Sequence, residues 1–333
     1  MTSVSVVIPC YRSEQTLPVL VDRLLVVLST TASVFEVILV VDGSPDKTWE
    51  VAQQLADRYE TVRALLLARN YGQHNALVAG IRCARYDIVV TMDDDLQHPP
   101  EEIPKLLAGL RPDLDIVYAV PRAGTHGFMR DLASRSLKIG LSGRFGEATG
   151  QDICAFRAFR SFLRESLDGV AGPHALIDIS FSWATMRVGT VPIKIERRLI
   201  GRSNYTVPML IRHAVHVMIG YSTIPLRLVT YCGLLAGALG AVLLTVFLWN
   251  YWWGDSTLKG FTSIASMISL FASAQMVALG IIGEYLGRIH VERMGRPTYI
   301  VRERSESRDS RLPVTPDVNA ETFIHPGVGA HER

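Results

Sequence analysis

TMDDDLQHPPEE, residues 91–102, sets three carboxylates directly behind an apolar run. The lead-in DIVVTM (87–92) is apolar and β-branched, the pattern of a strand buried on both faces of a parallel sheet. Asp93, Asp94 and Asp95 then fall at the carboxyl end of that strand. Pro99-Pro100 with Glu101 and Glu102 opens the helix that follows. In open α/β sheets this edge is where ligands sit. Adjacent carboxylates repel one another, and a cation or a metal-bound phosphate relieves that cost. A solvated turn capping a helix is the plainer alternative for such a cluster taken alone.

Upstream and downstream of this stretch, strand and helix patterns alternate. VSVVIP (4–9), FEVILVVD (35–42), VRALLLA (62–68), DIVVTM (87–92) and DIVYAV (115–120) read as strands. TLPVLVDRLLVVL (16–28), TWEVAQQLADRY (48–59) and HNALVAGIRCA (74–84) carry helical periodicity. Right-handed crossovers make this a doubly wound α/β domain over residues 1–205. Polar residues then line successive strand ends: Pro9-Cys10-Tyr11, Asp42-Gly43-Ser44, Arg69-Asn70-Tyr71-Gly72 and 93–97. Such a row suits a base and ribose, with a divalent ion bridging carboxylates to a pyrophosphate. No G-x-G-x-x-G follows the first strand and no G-x-x-x-x-G-K-[ST] occurs, which speaks against dinucleotide oxidoreductases and P-loop ATPases.

Across 333 residues, 34 Lys and Arg balance 32 Asp and Glu, so charge does not point to a nucleic-acid partner. The four cysteines are scattered without a C-x-x-C pair, which fits a reducing compartment. The N-terminus runs straight into a strand pattern, and no cleavable signal peptide is expected. Mean hydropathy is nevertheless positive, +0.21. Its source is two charge-free stretches, 228–254 and 260–283. Each meets the requirement of about 20 apolar residues for a membrane span, with spans expected at about 228–250 and 261–283 within a hairpin of 226–290. Trp249, Tyr251, Trp252 and Trp253 form an interfacial belt at the end of the first span. Arg202, Arg212 and Arg227 before the first charge-free stretch, and Arg288, Arg293 and Arg296 after the second, predict both termini and the catalytic domain on the cytoplasmic side of a cell membrane. Residues 206–225 read as an amphipathic juxtamembrane helix, with 284–295 as its counterpart. The tail within 291–333 reads as largely disordered, most plainly from about Glu303. Glycine-rich spans leave room for a homo-oligomer.

VVIPCYRSE, VDGSPDKTWE, LARNYGQHNALVAG and TMDDDLQHPPEEIP, in that order, resemble family 2 glycosyltransferases of the GT-A fold. With a C-terminal membrane hairpin, the chain is similar to the polyprenyl-phosphate glycosyltransferase group. The resemblance implies a GT-A Rossmann-like, mostly parallel sheet with helices on both faces, and a two-helix transmembrane hairpin flanked by amphipathic surface helices. It implies Pro9, Tyr11, Asp42, Asp93 and Asp94 for the nucleotide sugar, and Asp93, Asp95 and Gln97 for a divalent metal, Mg²⁺ or Mn²⁺. Asp95 and Asp152 would be catalytic. Arg122, Arg130, Ser134, Arg198 and Arg202 would hold the acceptor phosphate. The chain departs from the family pattern at three positions. Asp94 stands where a small residue is usual, Ser13 where Glu is frequent, and Val41 where an acid or Asn often precedes Asp42.

The expected activity is inverting transfer of a sugar from a UDP- or GDP-linked donor to a polyprenyl phosphate of undecaprenyl type. A membrane-anchored transferase acting on another acceptor and a non-catalytic scaffold with this fold are the rival expectations. The intact acidic residues Asp42, Asp93 and Asp95 speak against the scaffold.

Overall fold

The computed structural model describes residues 2–121, 155–167, 177–194, 196, 224–253, 261–294 and 297–305, some of the later helical residues by backbone alone. Strands β1 (Ser3–Cys10), β2 (Val34–Val41), β3 (Val62–Leu67) and β4 (Ile88–Thr91) form as the apolar runs require. Helices α1 (Leu17–Thr31), α2 (Thr48–Arg58) and α3 (Gln73–Cys83) connect them. Each crossover returns to a parallel neighbour, giving the order β3-β2-β1-β4. Strand interiors such as Val6, Val7, Ile8, Val37, Ile38 and Leu39 are fully buried, because helices cover both faces of the sheet. A 3₁₀ turn at Pro100–Glu102 and helix α4 (Ile103–Gly109) follow β4.

Beyond β4 the parallel expectation gives way. Strand β5 (Ile116–Pro121) does not sit beside β4, because β6 (Arg157–Arg160) enters antiparallel between them. Helix α5 (Ile177–Ala184) then leads into β7 (Val188–Ile193), parallel to β5. The sheet has eight strands in the order β7-β5-β6-β4-β1-β2-β3-β8.

Helices α6 (Ile224–Trp253) and α7 (Phe261–Arg293) have 30 and 33 residues and pack on each other. At 1.5 Å per residue they are roughly 45 and 50 Å long. Among the described residues no helix is long and apolar enough to cross a membrane. Several side chains of α6 and α7 are not described, however, and over the full sequence residues 228–253 carry no charge at all. After α7 the chain returns as β8 (Val301–Arg304), antiparallel to β3 at the sheet's free edge. Ordered structure therefore reaches Ser305, past the point where an irregular tail was expected. The stretch of 206–223 expected as a juxtamembrane helix lies outside the described residues.

Candidate active site

The carboxyl ends of β1 to β4 converge on one cavity of about 280 Å³, lined by Pro9, Cys10, Tyr11, Asp42, Asn70, Gly72, Gln73, Asp93, Asp94 and Asp95. Six sequence-derived site residues are thus gathered together: Pro9, Tyr11, Asp42 and the three aspartates. Gln97 is not in the lining. Asp152, Arg122, Arg130, Ser134, Arg198 and Arg202 lie outside the described residues. Asn70 and Gly72 belong to the strand-end row read from the sequence, whereas Gln73, the next residue in LARNYGQHN, was not singled out.

Asp42 is buried at the end of β2, and its two oxygens accept the backbone N–H groups of Tyr71 (2.7 Å) and Gly72 (2.8 Å). The carboxylate thereby draws the loop after β3 over the pocket. Gly43 makes that approach feasible. Its φ is +56°, and a Cβ there would stand 2.4 Å from the Arg69 carbonyl carbon. Burial pushes the Asp42 carboxyl above its ordinary range, against the lowering effect of those two N–H donors.

The three consecutive aspartates have different partners. Asp93 accepts from Gln73 Nε2 at 2.5 Å, which joins the β4 end to the first turn of α3. Asp95 accepts the Gln97 backbone N–H at 3.1 Å. This tight turn puts buried Leu96 in the left-handed region, φ +60°, a conformation stored where surrounding packing enforces it. Asp94 turns away from both, toward the Ser13 hydroxyl and the Tyr11 backbone N–H (3.1 Å). Burial pushes its carboxyl up to about 6; Ser13 and Tyr11 oppose this, while the charges of Asp93 and Asp95 add to it. Tyr11 is 42% exposed at the cavity mouth, an aromatic face open to a planar group.

Asp93 and Asp95 supply hard oxygen donors at the cavity wall, the chemistry Mg²⁺ and Mn²⁺ favour. Among the described residues, no group of three or more His, Cys, Asp or Glu could hold a metal ion unaided. The pair fits an ion that completes its shell on substrate oxygens.

Behind the site lies a network that sequence reading missed. Arg157 on β6 is fully buried, opposite Thr91 on β4 and Tyr118 on β5. Its Nε donates to Thr91 Oγ1 at 3.0 Å and its guanidinium pairs with Asp178 in the first turn of α5. Tyr118 Oη donates to the same Asp178 at 3.1 Å. A charge in a four-residue strand gave no apolar signal.

Residues 5–170 match the profile of glycosyl transferase family 2. The undecaprenyl-phosphate 4-deoxy-4-formamido-L-arabinose transferase of Photorhabdus laumondii is 33% identical over 306 residues, 90% of this chain and 93% of that protein. The chain belongs to glycosyl transferase family 2. The similarly named protein of Enterobacter sp. strain 638 is 33% identical over 317 residues, 92% of this chain and 94% of its own. Among solved structures, glucosyl-3-phosphoglycerate synthase from Mycobacterium tuberculosis with Mn²⁺, UDP and phosphoglyceric acid aligns with a TM-score of 0.51 at 22% identity. It covers 66% of this chain and 76% of that one. The same synthase with Mg²⁺ and UDP gives 0.50 at 21% identity, covering 66% and 77%. The catalytic domain of this family 2 glycosyltransferase is therefore a mixed α/β sheet of GT-A type, with β6 and β8 as its antiparallel strands.

Proposed function

We propose that this glycosyltransferase moves a sugar from a nucleotide-diphosphate donor to a polyprenyl phosphate at the cytoplasmic face of a membrane, with inversion, and with α6 and α7 in the bilayer. The observation that carries it is the position of the hairpin's two connections relative to the carboxylate-lined cavity. Strand β7 ends at Ile193 beside Pro121, and β8 begins at Val301 beside Leu67. Both lie at the carboxyl edge of the sheet, the edge that holds Asp42, Asp93 and Asp95. The chain thus leaves for the hairpin, and returns from it, on the side where the cavity opens. Glu196 N–H donates to the Gln97 carbonyl at 2.9 Å, tying the outgoing segment to the aspartate turn.

The hairpin surface supports a lipid environment. Leu235 is 73% exposed, Trp252 72% and Met276 68%, on helices whose described apolar side chains are largely exposed. Water would tolerate such a surface poorly, and lipid tails cover it. The relatives, undecaprenyl-phosphate transferases aligned over nine-tenths of both chains, support undecaprenyl phosphate as the acceptor class.

Asp42 and Tyr11 take the base end of the donor, and Asp93 and Asp95, with Gln97 beside them, hold the divalent cation. That ion, Mg²⁺ or Mn²⁺, supplies Lewis-acid stabilisation of the departing diphosphate. A phosphate monoester has a second pKa near ~6, so the acceptor is largely dianionic at neutral pH and needs little help from a base. It needs positioning, which falls to Arg122, Arg130, Ser134, Arg198 and Arg202; arginine forks grip phosphate oxygens in bidentate fashion. Asp152 orients sugar or phosphate. In-line attack by the phosphate oxygen on the anomeric carbon inverts it.

The test uses the full chain in membranes, a panel of labelled UDP- and GDP-sugars and undecaprenyl phosphate, followed by lipid extraction. Label enters the lipid fraction with at least one donor. Asp95→Asn lowers that transfer by about a hundredfold or more, in line with losing a preorganised electrostatic group. Label that stays in the aqueous phase or on protein, or full transfer in excess chelator, overturns the reading.

A further inference from the structure

Asp94 sits in sequence between the two carboxylates assigned to the cation, yet its side chain serves another loop. The Tyr11–Ser13 segment between β1 and α1 is fastened from two sides. On one side Arg12 N–H donates to Ser44 Oγ and Ser13 N–H to Thr48 Oγ1, both at 2.8 Å, which joins it to the β2–α2 turn. On the other side Asp94 accepts the Ser13 hydroxyl and the Tyr11 N–H. Ser13 is buried, and its Oγ also accepts the Tyr11 N–H at 3.1 Å, so the three groups close on one another. Between them Arg12 is held in the left-handed region, φ +59°, where a non-glycine residue stays only if its surroundings impose it.

We propose that Asp94 is a positioning residue for the nucleotide, acting with Ser13 as one unit, and is not a ligand of the cation. It fixes Tyr11 at the cavity mouth by locking the loop that carries it to the turn that carries Asp93 and Asp95. Two of the three positions where this chain departs from its family's pattern, Ser13 and Asp94, are therefore partners in a single contact. One carboxylate bridges the two loops, and here it projects from the β4 side. The proposal rests on the cavity taking a nucleotide.

Geometry also states the consequence of moving that carboxylate across. Asp94→Gly removes the bridge, and Ser13→Glu adds a second buried acid against the first. The double variant Ser13→Glu with Asp94→Gly restores a single carboxylate, supplied from the opposite loop. The experiment measures UDP affinity of the full-length protein in detergent, with Mn²⁺ and in excess chelator, for wild type and the three variants. Thermal midpoints without ligand accompany each. Each single variant weakens UDP binding about tenfold, the scale of one lost charge-assisted hydrogen bond. The loss is equal with and without Mn²⁺, and the double variant returns to within about threefold of wild type. The midpoints show the same non-additivity, which reports the contact whatever the protein binds.

A loss confined to the Mn²⁺ condition makes Asp94 a cation ligand and overturns the proposal. So do additive losses in the double variant. A wild-type protein that binds no UDP or other nucleoside diphosphate overturns the nucleotide reading itself, and the role of Asp94 with it. Coupled midpoints in that case separate the two failures, since the Ser13–Asp94 contact stands without its proposed purpose.

Discussion

Asp42 bears on the fold and, in the proposed function, on nucleotide binding, with opposite dependence on pH. Its burial raises the folded-state pKa above the ordinary value near ~3.9, so the folded protein takes up its proton more readily than the unfolded chain does. The stability linked to that proton is fully present below the unfolded pKa and is lost as pH rises through the folded one. Acidification does not unfold the protein through Asp42. It does convert one oxygen from acceptor to donor, and that oxygen can no longer receive the Tyr71 or Gly72 N–H. Nucleotide affinity accordingly weakens on acidification, beginning above the ordinary carboxylate range, while Asp42→Asn binds more weakly and lacks this part of the profile. UDP titrations of both proteins from neutral to mildly acidic pH check this; parallel profiles would remove Asp42 from the effect. At this scale the residues were legible as a set more than as individuals. The resemblance set Asp94 apart from Asp93 and Asp95, but only the turn geometry sends Asp93 to Gln73, Asp95 to its own turn and Asp94 to Ser13.

Among elements, β6 decides how well the carboxylate turn is supported. It braces β4 along its whole length, from Ile88 opposite Arg160 to Thr91 opposite Arg157. Buried Arg157 is neutralised there by Asp178, whose side chain is 37% exposed. Removing one partner of such a pair weakens the compensation of a buried charge, so Asp178→Ala destabilises by about 2 kcal/mol, less than for a fully buried pair because Asp178 is partly exposed. Urea unfolding checks it, and a loss below about 1 kcal/mol would mean that water reaches the guanidinium. The same arginine explains why β6 was missed. Strands β1 to β4 announce themselves by continuous apolar runs, because helices bury both their faces. RAFR at 157–160 and VRER at 301–304 carry no such pattern, and pairing with a neighbour makes them strands. The parallel half of the sheet, which carries the cavity, was therefore readable, and the antiparallel additions were not.

For the whole molecule, β8 is the piece that joins the hairpin to the cavity. The chain returning from α7 places the Ile300 carbonyl on the Ala68 N–H at 2.9 Å, immediately before the 69–72 loop that Asp42 holds. Ser305 fastens the other end, exchanging bonds with the Ala64 backbone at 2.8 and 2.9 Å. Tyr299 lies under the Arg82 guanidinium, 5.7 Å from ring centre to carbon, on the helix that follows the loop. The outgoing segment tied at Gln97 and the returning one at Ala68 thus meet the catalytic sheet on either side of the β1 and β2 ends. Two outcomes follow. On the proposed membrane reading, a reporter fused after Arg302 is cytoplasmic, on the side of the catalytic sheet with which β8 pairs, and a cysteine at Ser256 is labelled from the outer face; the reverse pattern would defeat that reading. Replacing Val301 and Glu303 together by proline removes the ladder along β3, since proline lacks the N–H and resists the pairing. The catalytic sheet keeps most of its core, because Val301 is the one β8 side chain that packs partly against it and Arg302, Glu303 and Arg304 are exposed. The 69–72 loop loses its outer support, so donor affinity falls several-fold while the amount of protein in the membrane stays the same. Unchanged donor affinity would mean that Asp42 alone holds the loop, and that β8 only anchors the chain's return.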